Sequence, residues 1–329
     1  MKKSTAPRRG ASVSRPEAAI AAPVMAGPLS HASRLTACPV SYYDLLQPAG
    51  GSTKPPLLLI PGGAHSGACY LSTADGRPGW AHAFVRRGYA VAVADWPGCG
   101  RSGYVASDKL DGELVVAGLG RVLESLGQPA VVLTHSMSGA YGWKLLERYG
   151  RHIERLVGIA PSPPGNIQPA PEVLREDEDT VEAQLFKGAA VAVLSQKEAF
   201  VASRDFVDKK LIGTGTLFPR DQAANYAASL IAIPPRLLLE RFNIGGSQLK
   251  VADFAHFSGK RVLVMTGTHD ADHPVSVDRP IVDWLNEHGA KADFLYLGER
   301  GIEGNGHMMM LEKNSDALAD LIVSWLEAP

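Results

Sequence analysis

The sequence is short of cysteine and of net charge. Its 329 residues include three cysteines, which are scattered and form no C-x-x-C pair. Such an odd, dispersed set predicts neither a disulfide framework nor a zinc site, so we expect reduced thiols. The 33 basic residues nearly balance the 34 acidic ones, and no basic stripe is interleaved with aromatic residues. No nucleic-acid partner is therefore expected, and a small molecule is the expected substrate.

The N-terminus has a basic start but no long apolar run. Lysines and arginines within residues 2–9 precede the alanine-rich stretch Ala18–Gly27, which Pro23 interrupts. This stretch is far too short to span a bilayer and is weak as the apolar part of an export signal. We interpret residues 1–35 as a flexible leader and expect a cytoplasmic protein without a membrane partner. Export through the leader is the alternative.

Short β-like runs alternate with helical runs from Pro39 onward. Hydrophobic residues make up 45% of the chain and charged residues 20%, which is enough for a large core. The alternation predicts an α/β fold with a mostly parallel central sheet and helices on both faces, over residues 36–161 and 261–329. The predicted strands are Val40–Leu45, Leu57–Ile60, Ala90–Ala94, Ala130–Leu133, Leu156–Ile159, Val262–Met265 and Phe294–Leu297. The predicted helices are Trp80–Arg87, Leu114–Leu126, Tyr141–Tyr149, Arg279–His288 and Ala317–Leu326.

The alternation stops between residues 162 and 260, which we predict to form a helical cap. The segment opens with a proline-rich stretch and the acidic run Glu176–Asp179. Helices are then predicted over Val181–Ser195, Asp221–Leu230 and Arg236–Phe242, the last starting after two prolines. An insertion of this kind would cover the C-terminal edge of the sheet, where such folds bind ligands.

Aromatic residues of the cap are candidates for an apolar substrate pocket. They are Phe186, Phe200, Phe206, Phe218 and Tyr226. Aromatic residues at helical spacing more often belong to a core, and that packing role is the alternative. We select Phe218 and Tyr226, together with His65 in an early glycine-rich loop, as candidate substrate-binding residues.

Ser136 lies where a buried strand meets a helix. The chain there must turn back sharply, which strains the central residue and exposes its side chain above the sheet. Ser138, Gly139 and Ala140 are small enough for such a turn, while Thr134 stands where a G-x-S-x-G elbow has glycine. The pattern predicts a nucleophilic serine in a variant elbow.

A serine nucleophile needs an imidazole base, and the imidazole needs a carboxylate to orient it. His307 follows the last predicted strand in a glycine-rich loop, in the Ser…Asp…His order typical of α/β-hydrolases. Asp270 is the first choice for the acid, because it follows the preceding strand, and Asp272 is the second. A metal site from these aspartates and the flanking His269 and His273 is disfavoured, because no separate ligand group has metal spacing. No metal ion and no cofactor are expected.

Acyl transfer also needs backbone donors aimed at the developing oxyanion. The N–H of Met137, next after the nucleophile, is one natural donor. The second is expected from the loop after strand Leu57–Ile60, with Gly63 as first choice and Ala64 as second.

Several motifs resemble those of a known family. The turn D-x-P-G-x-G-x-S at Asp95–Ser102, together with Ser136 and the late His307, resembles the α/β-hydrolase fold. The segments Asp75–Trp80 (DGRPGW), T-H-S-x-S-G around Ser136 and Gly304–Met310 (GNGHMMM) are similar to bacterial carboxylesterases of the esterase 713 group. That group includes the sulfonylurea herbicide de-esterifying enzymes. The likeness extends over residues 55–161 and 262–326 and omits the leader and most of the cap.

The resemblance implies roles for matching positions. Ser136 would be the nucleophile, His307 the base, and Gly63 with Met137 the oxyanion donors. The acid does not carry over, since these esterases take a glutamate at the position that Ala160 occupies here. An alanine cannot orient an imidazole, and Asp270 is therefore the predicted acid.

These features together predict a serine hydrolase that cleaves a carboxylic ester of a small, moderately apolar substrate through an acyl-enzyme. Amide, carbamate, lactone or carbon–carbon hydrolysis by the same residues stays open, because the selecting residues lie in the cap. A non-catalytic ligand-binding protein of the same fold is the alternative of another class. A homodimer is also left open.

Overall fold

The computed structural model describes residues 29–185 and 189–329, and its centre is an eight-stranded sheet. The strands of these residues, in chain order, are β1 (Leu29–Leu35), β2 (Tyr42–Pro48), β3 (Leu57–Ile60), β4 (Val91–Asp95), β5 (Ala130–His135), β6 (Ile153–Ile159), β7 (Glu172–Glu176), β8 (Thr180–Gln184), β9 (Ala192–Ser195), β10 (Arg261–Thr266) and β11 (Lys291–Tyr296). The central sheet has the order β1-β2-β4-β3-β5-β6-β10-β11. The β1–β2 and β2–β4 pairs are antiparallel. All neighbouring strands from β4 to β11 are parallel.

Helices cover both faces of this sheet. In chain order they are α1 (Ala68–Leu71), α2 (Trp80–Arg86), α3 (Gly112–Ser125), α4 (Ser138–Tyr149), α5 (Arg204–Phe206, continuing as a π-helical turn over Val207–Ile212), α6 (Ala223–Ala228), α7 (Pro235–Arg241), α8 (Val275–Glu287) and α9 (Ser315–Glu327). Helices α3, α4 and α8 bury their apolar residues with one face of the sheet, and α2 and α9 with the other. The predicted α/β class and mostly parallel sheet are confirmed. All seven predicted strands and the five predicted core helices are present, with ends that differ from the predicted ones by up to four residues.

The central strands form because their residues are apolar on both faces. Every residue of β3, β4 and β5 is buried, as expected for parallel strands covered by helices on each side. Because β5, β10 and β11 run parallel, their carboxyl ends lie at one edge of the sheet, where the loops that follow them meet. Within the described residues, no helix is long and apolar enough to cross a membrane.

The first strand corrects the predicted leader boundary at residue 35. Residues 29–35 pair antiparallel with β2 along their whole length, although all seven side chains are exposed. Backbone pairing holds this strand, and His31 and Ser33 also hydrogen-bond Asp44 of β2 at 2.9 and 3.0 Å. An exposed edge strand carries no apolar alternation, so its sequence resembles a leader. The predicted leader over residues 1–28 lies outside the described residues.

The cap is mixed rather than helical, which corrects a second prediction. Residues 180–184 and 192–195, predicted as part of one helix over Val181–Ser195, form strands of a three-stranded antiparallel sheet ordered β7-β8-β9. In β8, buried Val181 and Ala183 alternate with half-buried neighbours, which is the period of a strand. Helix α6 falls inside the second predicted cap helix, and α7 overlaps the third but begins one residue earlier, at Pro235.

Candidate active site

Ser136 lies between the end of β5 and the start of α4, with a positive φ of +50°. A serine rarely adopts this left-handed conformation, and its backbone is held there by hydrogen bonds on both sides. The Ser136 N–H donates to the Ile159 carbonyl at 3.0 Å, and the Ser136 carbonyl accepts from the N–H groups of Gly139 and Ser162, both at 2.8 Å. The result is the sharp elbow that the sequence predicted.

Two glycines make room for this elbow and its threonine. A Cβ on Gly139 would lie 2.6 Å from Pro161 Cβ and from Ser162 N, so only glycine fits there. A Cβ on Gly142 would lie 2.9 Å from Thr134 Cγ2, so the glycine at this position of α4 leaves the space that the threonine side chain occupies. The absence of glycine at residue 134 is therefore compensated within α4.

The structure brings Ser136, His307 and Asp270 into one hydrogen-bonded chain. His307 Nε2 lies 2.9 Å from Ser136 Oγ, and His307 Nδ1 lies 2.7 Å from Asp270 Oδ2. A carboxylate only accepts hydrogen bonds, so Nδ1 carries the proton and Nε2 is free to accept from the serine hydroxyl. Both His307 and Asp270 are buried, whereas Ser136 faces the cavity described below.

Asp270 is held as a carboxylate. Its burial by itself would raise the pKa, but the adjacent His307 imidazole, His273 and the Asp272 N–H outweigh burial and lower the pKa well below its ordinary value. Its second oxygen, Oδ1, accepts the N–H groups of Asp272 and His273 at 3.1 and 3.2 Å. These backbone donors fix the carboxylate in the loop after β10.

Asp272, the second choice for the acid, makes a different contact. Its Oδ2 forms an ion pair of 2.7 Å with Lys210, which belongs to the cap. Burial opposes ionisation of Asp272, but Lys210 and the nearby histidines lower its pKa. Asp272 therefore links the core to the cap, and Asp270 contacts the imidazole.

The loop that carries His307 is anchored from behind by Glu312. Its carboxylate accepts the Gly306 N–H at 2.7 Å and the Asn305 side-chain amide at 2.5 Å. Burial raises the pKa of Glu312 to about 7, although these two donors act in the opposite direction. No pattern in the sequence pointed to this residue, since a glutamate beyond a motif is ordinarily solvated.

His307 is packed between two other histidines. The His135 ring lies 4.7 Å from it and the His273 ring 5.4 Å, the latter nearly parallel at 20°. His135 Nε2 lies 2.9 Å from the His307 carbonyl, and His273 Nδ1 lies 2.9 Å from buried Asp278. Burial lowers the pKa of His135, whereas Asp278 overcomes burial and raises the pKa of His273. Both histidines limit the movement of the central ring.

The expected oxyanion donors surround the serine. Gly63, Ala64 and Met137 line the same cavity as Ser136, and a Cβ on Gly63 would lie 3.0 Å from Met137 Sδ. Among the described residues, no hydrogen-bond acceptor contacts the N–H groups of these three residues. Ala64 has a positive φ of +62°, which turns the loop at this point. The backbone donors are thus available to a ligand.

His65 supports this loop instead of lining the serine cavity. Its Nδ1 lies 2.7 Å from the Gly63 carbonyl, so Nδ1 carries a proton, and its Nε2 accepts from the Tyr226 hydroxyl at 2.8 Å. Burial lowers the pKa of His65 to about 4, which keeps the ring neutral at physiological pH. His65 and Tyr226 instead border a second cavity of about 260 Å³.

A largely apolar cavity of about 340 Å³ opens above Ser136. Besides Ser136, His307, Gly63, Ala64 and Met137, it is lined by Leu185, Ala192, Val193, Leu194, Phe200, Phe206, Lys210, Leu211, Ile233, Leu238, Arg241 and Phe242. Phe200 and Phe206 thus border the cavity, whereas Phe218 and Tyr226 are buried in the core beside it. Phe186 lies outside the described residues.

The cavity contains two cations that the sequence did not single out, Lys210 and Arg241. No acidic side chain is among its described lining residues. In the described part of the chain, no cluster of three or more potential metal ligands occurs. His269, for example, pairs locally with Thr268 at 3.0 Å. The site thus combines a serine, an oriented base, free backbone donors and an apolar chamber.

Comparisons with known proteins agree with this fold. The sequence model of a protein family, described as "Alpha/beta hydrolase family", matches residues 57–321 of this chain. The chain is 23% identical over 343 residues to the "Probable secreted lipase phiG" of Fungal sp. (strain ATCC 74256), covering 87% of this chain and 85% of the lipase. A solved bacterial esterase has a TM-score of 0.57 at 18% identity, covering 92% of this chain and 97% of its own. A thermophilic esterase from Thermogutta terrifontis has a TM-score of 0.55 at 14% identity, covering 90% and 98%.

Proposed function

We propose that this chain, which belongs to the alpha/beta hydrolase family, is a serine hydrolase that cleaves a carboxylic ester through an acyl-enzyme. The observation that carries the proposal is the continuous chain of hydrogen bonds from Ser136 through His307 to Asp270. A ligand-binding protein would have no use for a neutral imidazole that accepts from a strained serine.

Acylation follows from this arrangement. The Ser136 hydroxyl attacks the ester carbonyl while His307 Nε2 takes its proton, and Asp270 stabilises the imidazolium that forms. The carbonyl oxygen becomes negative in the tetrahedral intermediate and accepts from the N–H groups of Met137 and Gly63, or of Ala64. His307 then returns the proton to the departing alkoxide, and the acyl group stays on Ser136.

Deacylation reuses the same groups. A water molecule donates a proton to His307 Nε2 and attacks the acyl carbonyl. The second tetrahedral intermediate then collapses: the bond to Ser136 Oγ breaks, His307 returns the proton to that oxygen, and the acid is released. The ionised state of Asp270 favours both steps, because it keeps the Nδ1 proton in place and Nε2 available. No group beyond the chain's own residues and water is needed.

The resemblance to the esterase 713 and sulfonylurea de-esterase group supports an ester substrate of moderate size. The apolar cavity of about 340 Å³ agrees with this. The acid departs from that group, since the position of its glutamate is held by buried Ala160, which has a φ of +41°. We therefore assign the acid role to Asp270. Activity on herbicide-like esters has to be measured.

A fluorophosphonate probe tests the proposal directly, because it reacts only with a nucleophile activated by its base. The wild-type protein should be labelled at Ser136, and Ser136→Ala should lose both the label and about 10⁵–10⁶-fold of esterase activity. A panel of p-nitrophenyl esters of graded chain length, with an aryl amide and a carbamate, would identify the preferred bond. Folded protein that fails to react with the probe would support a ligand-binding function instead.

A further inference from the structure

Arg241 is placed where a substrate can reach it. It is the last residue of α7, and its side chain lines the cavity that also contains Ser136 and His307. Leu238, one turn earlier on the same helix, and the following Phe242 line the cavity as well. The guanidinium therefore belongs to the wall of the chamber above the nucleophile.

Within residues 29–185 and 189–329, the Arg241 guanidinium has no hydrogen-bond or ion-pair partner, and it lies 5.9 Å from the centre of the Phe242 ring. Its backbone carbonyl accepts from the Gln168 side-chain amide at 2.9 Å, which leaves the guanidinium uninvolved. The contrast on the same helix is Arg236, whose guanidinium pairs with Asp111 at 3.0 Å and with Glu240 at 3.4 Å. Of these two arginines on α7, Arg236 has an ion-paired guanidinium and Arg241 does not.

The acidic groups nearest to Arg241 are already engaged. Asp270 contacts His307, Asp272 pairs with Lys210, and Asp278 contacts His273. Burial lowers the pKa of Arg241, and these carboxylates act in the opposite direction, yet none approaches within ion-pair distance. An arginine stays protonated throughout the physiological range, so the cavity holds a positive charge with unused donors.

We propose that Arg241 binds a carboxylate on the substrate, so that the preferred ester carries a free acid group away from the scissile bond. This rests on the proposed function. The planar guanidinium matches a carboxylate in a bidentate pair. Lys210 on the same wall is already paired with Asp272, so Arg241 carries the recognition. Apart from Ser136 and His307, the remaining side chains of the lining are apolar, and among the described residues the lining contains no competing anion. Binding such an acid would supply the hydrogen-bond acceptors that the protein does not offer to the guanidinium.

Matched substrates isolate the charge. p-Nitrophenyl hydrogen adipate and suberate carry a terminal carboxylate, and their primary-amide analogues have the same length without the charge. With the spontaneous rates subtracted, the wild-type enzyme should prefer the acids by about 10–100-fold in kcat/KM, in line with hydrogen bonds to charged groups. Arg241→Gln should remove this preference by lowering kcat/KM for the acids while the amides change by less than about 3-fold. Arg236→Gln is the matched control and should leave the preference intact.

Equal rates for acid and amide substrates in the wild type would overturn the inference. An equal loss for both substrate types in Arg241→Gln would do the same. Failure of the proposed function is recognisable separately, because then neither substrate type would be hydrolysed and Ser136 would not react with the fluorophosphonate probe. Reaction with the probe and turnover of the amides, without a preference for acids, would reject only the role of Arg241.

Thermal stability gives an independent measurement. If Arg241 is reserved for a ligand, Arg241→Met removes an unpaired charge and should leave the Tm of the free protein unchanged or higher. If its role is structural, the same variant should melt at least as far below the wild type as Arg236→Met, which breaks two ion pairs. That second result would contradict the proposal.

Discussion

The core and the cap of this protein are stabilised in different ways. Strands β3, β4 and β5 of the core are buried at every residue, whereas β7 in the cap is exposed at all five positions. The core sheet is mostly parallel and eight-stranded, and the cap sheet is antiparallel and three-stranded. Burial on both faces gives the core strands a well-defined register, while the cap depends on local pairing and on contacts with the core.

This difference separates two tasks of the site. In the proposed mechanism, the core supplies the serine, the base, the acid and the backbone donors, which must be held to within a fraction of an ångström. The cap supplies Phe200, Phe206, Lys210 and Arg241, which form the wall against a substrate. We infer that core substitutions at the site lower turnover for every substrate, whereas cap substitutions change which substrate is preferred.

The largest expected effect concerns two carboxylates only two residues apart. Asp270→Asn should lower kcat by about 10⁴-fold, as amidation of a triad aspartate does in serine proteases, because the amide favours the wrong histidine tautomer. Asp272→Asn breaks a partly exposed ion pair with the cap and should cost less than about 10-fold. Steady-state hydrolysis of p-nitrophenyl acetate by both variants measures the difference.

The reverse ranking would transfer the acid role to Asp272. Melting curves serve as the control here, since both variants should remain folded with similar Tm values. Comparable small losses in the two variants would mean that His307 acts without an acid.

A smaller effect is expected where the cap supports the oxyanion loop. His65→Leu removes the donor to the Gly63 carbonyl and should lower kcat by about 10–100-fold, less than loss of an oxyanion donor itself, with little change in KM. His65→Asn, whose amide can replace the Nδ1 proton, should restore most of this loss. Tyr226→Phe removes only the second hydrogen bond of His65 and is the matched control, expected within about 3-fold of the wild type. A change confined to KM would indicate that His65 contacts substrate, as first expected from the sequence.

The core was predictable from the sequence because its signals are local. Buried strands appear in the sequence as short apolar runs. Ser136, Asp270 and His307 each come after one of these strands, and this placed them at the same edge of the sheet. Thr134 made the elbow hard to recognise, because the glycine that makes space for its side chain, Gly142, comes eight residues later. Such a compensation is visible only when α4 is packed against β5.

The cap was harder to predict for physical reasons. The segment Val181–Ser195 is rich in alanine and other helix formers, and its alternation spans only five residues of β8. Strand β1 has seven exposed side chains and so lacks an apolar pattern altogether. Arg241 reads as an ordinary basic residue at a helix end, and its contact with the site depends on how α7 is placed over the sheet.

The cap phenylalanines provide a test that compares wall with core. Phe206 lines the cavity and packs edge-to-face on Phe200 at 5.0 Å, whereas Phe218 is buried beside it. Phe206→Ala should enlarge the chamber and raise the ratio of octanoate to butyrate ester kcat/KM several-fold. Phe218→Ala should leave that ratio unchanged within about 2-fold and destabilise the fold by about 3–5 kcal/mol. A shift in chain-length preference in Phe218→Ala would place that residue in the substrate path.

The smallest effect compares two buried glutamates, Glu240 of the cap and Glu312 of the core. Burial raises the pKa of each to about 7, although each accepts a backbone N–H, from Gly112 and Gly306 respectively. Between about pH 4.5 and 7 the folded protein therefore binds more protons at these groups than the unfolded chain, so their contribution to stability is lost as the pH rises. The Tm of Glu240→Gln and of Glu312→Gln should each rise relative to the wild type between about pH 5 and pH 8, by about 1–2 °C for each kcal/mol in a chain of this size. Only Glu312→Gln should also lower kcat, by about 3–10-fold, because Glu312 anchors the loop of His307 and Glu240 anchors the cap. An equal fall of kcat in both variants would mean that the position of the cap, and not only the core, sets the geometry of the base.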